Sequence, residues 1–238
     1  LTGSSSLNSL CQATEELELI FGVTLITLSI PLLLPILKIQ RGKLHFLLLP
    51  AILILFVTSF ASLVQSGYLP EQLIEHSIKL LTPVLFFHCL TTAHINVNRL
   101  IFALKILVAL TFIGHGLFAL GVHYIPEGFI EMTTKILGIS VFEATVFLRI
   151  IGILDIVCAV LIFTNFKVRI AYLYLILWGF ATALARMIYG LLIHEEWHEL
   201  LYWFSNMVYR LPYGLIPLII ALYAKSRHVY FVKNSFKA

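Results

Sequence analysis

Charge is scarce in this chain: only 12% of its 238 residues are Asp, Glu, Lys or Arg, against 60% hydrophobic, and the mean hydropathy is +0.98. A water-soluble domain has no interior large enough for that much apolar side chain, which excludes the soluble globular classes. Cysteine is rare too. Cys89 and Cys158 lie in apolar runs and Cys11 has no evident partner, so no disulfide framework is built. There is no glycine-rich phosphate loop and no nucleophile elbow. The last apolar run has no lysine before Lys225 at its inner end, which argues against retinal chemistry. The apolar runs are continuous, not alternating, so barrel strands are also excluded.

What remains is a series of apolar runs of about 20 residues, each long enough for roughly 30 Å of hydrocarbon. Seven are read, over residues 17–37, 44–65, 73–95, 99–123, 142–164, 168–192 and 205–224. The polar opening LTGSSSLNSL is unlike a signal peptide, and the run that follows it is too long for one. Between the fourth and fifth runs, YIPEGFIEMTTKILGIS is too polar to span and too apolar for a free loop. Its stripe of Ile130, Met132, Ile136 and Leu137 predicts a short interfacial or re-entrant helix. The expected fold is an all-α polytopic membrane bundle of about seven transmembrane helices with a short interfacial helix. Its parts are a polar extracytoplasmic N-terminus (1–16), a three-helix membrane unit (17–98), a four-helix unit (99–225) and a basic cytoplasmic tail (226–238).

Charge asymmetry sets the expected orientation. Lys38, Arg41, Lys43, Arg99, Lys105, Lys167, Arg169, Lys225, Arg227, Lys233 and Lys237 fall on one side. All eleven glutamates, among them Glu71, Glu75, Glu127, Glu131, Glu143 and Glu196, fall at the opposite helix ends. The positive-inside rule then puts the N-terminus outside and the C-terminus in the cytoplasm, consistent with a bacterial inner membrane. The net charge of +4 reflects this topology and requires no nucleic-acid partner.

Ionisable residues within the apolar runs are the functional candidates, because hydrocarbon rejects them unless they face a protein interior or a cavity. Counting ~1.5 Å per residue from the helix ends puts His115, Arg149 and Arg186 roughly 9–12 Å below the outer surface. Arg210 starts the last run, and Glu143 lies in the same outer layer. The expected site joins His115, Arg149, Arg186 and Arg210 beneath the 125–138 segment. Two accounts compete: Glu143, Glu131 or Glu127 pair with the arginines internally, or a lipid or quinone headgroup takes the arginines as bidentate donors. Deeper in the membrane, Asp155 and Lys105 are expected to form a charge pair, or a protonated Asp155 to bond a neighbour; a proton relay through Asp155 is the alternative. His194 to His198 matches HExxH formally, but it stands where a helix leaves the membrane with no third ligand in view. It is read as an acidic outer loop, with no metal. A bis-histidine haem on His88 and His115 is disfavoured by their unequal depth.

The segment from residue 99 onward resembles the DoxX-like integral membrane protein family, on FIGHG at Phe112–Gly116, the short helix after it and LRIIGILDIVCAVLIF at 148–163. The resemblance implies a four-helix core, an acidic residue near Asp155 and an association with quinone or redox chemistry. The function expected is that of an accessory membrane subunit, with a redox assembly as its candidate setting, whose outer-leaflet pocket binds lipid or quinone. Membrane lipids and other membrane chains are its expected partners, and quinone is the candidate cofactor. The alternatives are a quinone-linked oxidoreductase using His115 and Arg149, and a proton-coupled transporter using Asp155; no inverted repeat is visible to support the latter.

Overall fold

The computed structural model describes residues 46, 48–92, 94–164, 166–193 and 196–235, with side chains up to Ser226 except that of Gln65. The expected run 17–37 and His194 lie outside the described residues. Among the described residues every element is helical: α1 (Leu48–Gln65), α2 (Pro70–Glu75), α3 (Ser77–Thr91), α4 (Val97–Leu120), α5 (Glu127–Leu137), α6 (Val141–Leu161), α7 (Val168–Ile193), α8 (Trp197–Arg210) and α9 (Pro212–Ser235). Four stretches are long and apolar enough to cross a bilayer: α4, α6, α7, and α8 with α9 as far as Ser226. These mark an integral membrane protein.

Local chemistry fixes the helix ends. Asn96 caps α4 by accepting a hydrogen bond from the Arg99 amide, and Gly121 ends it at φ 72°. At the start of α6, Ser140 and Glu143 form a reciprocal capping box. The expected run 73–95 is divided. His76 caps both α2 and α3 at φ −79°, ψ 0°, so the chain turns there and delivers Glu71 and Glu75 into the protein. Pro212 occupies the first position of α9, directly after Leu211.

The core joins α3, α4, α6, α7 and α9 around Ile78, Val108, Phe112, Cys158, Ile162, Leu175 and Ile220. Glycines set the closest approaches. A Cβ on Gly116 would stand 2.8 Å from the Gly152 carbonyl oxygen, and one on Gly152 would stand 2.7 Å from that of Gly116. The backbones of α4 and α6 therefore touch at this level. On another side of α4, a Cβ on Gly114 would meet the Glu75 amide nitrogen at 2.5 Å, which seats α2 directly on α4.

This crossing staggers the helices. Gly116 lies about 6 Å from the end of α4 and Gly152 about 16 Å from the start of α6, at 1.5 Å per residue. For antiparallel neighbours, α6 then reaches about 10 Å beyond α4. The amphipathic α5 packs against α6 and α7 over that step.

Candidate functional site

His115 sits between the two glycines of α4 that let α2 and α6 approach. The residue is 7% exposed, and its ring Nδ1 donates to Asp155 Oδ2 at 2.7 Å. Asp155 is fully buried, and its other oxygen accepts from the Tyr174 hydroxyl at 2.7 Å. Helices α4, α6 and α7 thus each supply one member of a Tyr174–Asp155–His115 chain. With Nδ1 committed to the carboxylate, Nε2 is the ring nitrogen left for another partner. Phe129 of α5 packs on the imidazole with ring centroids 5.2 Å apart.

That imidazole lines a cavity of about 390 Å³ between α5, α6, α7 and the end of α8. Arg186 and Arg210 share the cavity with His115, as do Phe129, Trp178 and Thr182. Apart from Thr133 the rest of the wall is apolar, and Leu137, Leu184 and Ile188 of that wall are exposed on the helix surfaces.

The two arginines are placed differently. Arg210 Nη1 donates to Glu75 Oε1 at 3.0 Å, and Tyr213 donates to the Glu75 carbonyl at 3.2 Å, tying α2 to the start of α9. Glu75 and Lys79 are 3% and 4% exposed, with the Lys79 ammonium over the Tyr209 ring at 4.4 Å. Arg186 shares its electrostatic neighbourhood with Arg210 and Glu75. No hydrogen bond or ion pair joins it to another described residue.

Of the expected site, then, the structure brings together His115, Arg186 and Arg210. Arg149 is exposed and lies outside the cavity. Its neighbour Leu148 is buried and lines it, so the expected depth came with the wrong side of the helix. Nor do the expected internal anions act there. Glu143 is exposed and spent on its capping box, and Glu131 and Glu127 are exposed on α5. The carboxylate that meets an arginine is Glu75, 135 residues away from it in sequence.

The expected Asp155–Lys105 pair is also replaced. Asp155 takes His115 and Tyr174 as partners, while the Lys105 ammonium donates to the Ile162 carbonyl at 3.2 Å, at the far end of α6. His198 is exposed beside Glu196 and Glu199, and no cluster of metal-ligating side chains occurs among the described residues. Sequence reading missed Glu75 and Tyr174. Glu75 is polar in an apolar run, a usable signal, whereas Tyr174 is one tyrosine of ten.

Comparison of the chain with known protein families, curated proteins and solved structures finds no match.

Proposed function

We propose that this protein is an accessory membrane subunit that holds a lipid or quinone by its headgroup in the cavity between α5 and α7. The observation that carries this reading is the cavity's polarity gradient. The polar lining residues His115, Arg186 and Arg210 are more buried than Leu137, Leu184 and Ile188, which are exposed at the helix surfaces. An amphiphile entering sideways would keep its tail in hydrocarbon while its headgroup met those hydrogen-bond donors. The resemblance of residues 99–238 to the DoxX-like family supports a place in a redox assembly. In this reading the chain crosses a bacterial inner membrane seven times, with 17–37 and α2–α3 among the spans. The N-terminus is outside, and α5 lies at the outer interface.

A second reading, quinone-linked redox chemistry, is favoured by the Tyr174–Asp155–His115 chain. A carboxylate on Nδ1 orients the imidazole and raises its basicity, which suits proton exchange at a quinone oxygen.

Native mass spectrometry of the protein extracted from its own membranes tests the binding reading. One retained amphiphile per chain is expected, lost in Ala185→Phe, whose ring would fill the cavity. Bare protein, or retention unchanged by Ala185→Phe, contradicts it. In the same cells a reporter fused after Ala238 is expected to be cytoplasmic, and an extracytoplasmic signal would refute the orientation.

A further inference from the structure

We infer that the headgroup bound in this cavity is anionic, a lipid phosphate received by the Arg186 guanidinium; the inference rests on the amphiphile reading above. Charge balance around the cavity's polar residues carries it. Arg186 and Arg210 line the same cavity, and Glu75 is the carboxylate in the electrostatic neighbourhood of both. That carboxylate is bonded to Arg210. It also lies in the field of Lys79. Arg186 is left with a like charge beside it and no ion pair among the described residues. A guanidinium does not escape this by shedding its proton, because its pKa is too high. A cation held in a low-dielectric setting requires an anion or strong acceptors, and here the ligand would supply them.

The guanidinium's planar fork matches a phosphate, making two parallel charge-assisted hydrogen bonds. Thr182, one turn before Arg186 on α7, lines the same wall, but its hydroxyl donates to the Gly179 carbonyl at 3.1 Å, so the phosphate contact falls to the guanidinium.

The source of the phosphate follows from the exposed apolar residues of the wall. A free ion would have to cross exposed Leu137, Leu184 and Ile188, which offer it no hydrogen bond. A lipid brings its phosphate in from the membrane side with its tail against those same side chains. The volume of about 390 Å³ is at the small end of ligand sites, sized for a headgroup and the first part of a chain.

Trp178 lines the cavity and can report binding by fluorescence in a Trp197→Phe, Trp203→Phe background of the full chain in detergent. The probes are dioctanoyl phosphatidic acid, dioctanoylglycerol, decylubiquinone and inorganic phosphate. Saturable binding of phosphatidic acid is expected, at least ten-fold tighter than dioctanoylglycerol or inorganic phosphate. Arg186→Gln should erase that preference, Arg186→Lys should restore part of it, and the cavity-filling Ala185→Phe should abolish binding with Arg186 intact. Equal affinity for dioctanoylglycerol or decylubiquinone, or a preference that survives Arg186→Gln, overturns the anionic headgroup but leaves the amphiphile pocket standing. Inorganic phosphate binding as tightly as phosphatidic acid overturns the lipid source. If no amphiphile changes the Trp178 signal, the pocket reading itself fails and this inference with it.

Discussion

At the scale of residues, the decisive fact is which ionisable side chains find each other in a low-dielectric setting. His115 and Asp155 are 40 positions apart, and bonding satisfies two groups that hydrocarbon would reject singly. Removing one partner leaves the other buried and uncompensated, a cost of about 3–5 kcal/mol. Asp155→Ala is therefore expected to lower the melting temperature in detergent strongly. Arg149→Ala, on an exposed face, should change stability by no more than about 0.5 kcal/mol. Equal effects of the two substitutions would contradict the assignment of faces. The sequence shows which residues are out of place in hydrocarbon, and three of them, His115, Arg186 and Arg210, line one cavity. It does not show direction around the helix. Arg149 and Leu148 differ by one position, about 100° of rotation, and both neighbours are apolar enough to hide which side is buried.

At the scale of elements, what the sequence hides is the depth of Asp155 relative to His115. Counting from each helix's own end treats all helices as ending at one level. The Gly116–Gly152 contact staggers α4 against α6, and this lets Asp155, far along its helix, reach His115 near the end of its own. Gly116 and Gly152 stand in the sequence, but nothing there says that they meet and set the crossing. The apolar runs were easier to read, because length and hydropathy suffice: those at 99–123, 142–164 and 168–192 correspond to α4, α6 and α7. The break at His76 inside the run 73–95 had no such signal.

Glycines also separate contact from freedom at this scale. Gly116→Val must push against backbone, where no side chain can yield, and is expected to destabilise the bundle by at least the roughly 1–3 kcal/mol typical of overpacking. Gly128, in the first turn of α5, has open space where a Cβ would stand, with nothing within 4 Å. Gly128→Ala should instead stabilise α5 by about 0.4–1 kcal/mol through reduced unfolded-chain entropy. Thermal melts of the two variants check this, and a tolerated valine at 116 would refute the close crossing.

At the scale of the whole molecule, four long apolar stretches form a bundle with a cavity roofed by α5 where α4 stops short of α6. The short helices α2 and α3 bring Glu75 and Lys79 to Tyr213 of α9, and Lys79 also to Tyr209 of α8. The cavity's polar surroundings are thus assembled from both halves of the sequence, a convergence that no local pattern announces. The central claim is that an amphiphile occupies this cavity from the membrane side. A density map of the protein purified from native membranes tests it most directly. Elongated density is expected to run inward between Leu137 and Leu184 to a head within hydrogen-bond distance of Arg186 or His115. A cavity closed by its own side chains, or Arg186 turned away to a protein carboxylate, would contradict it.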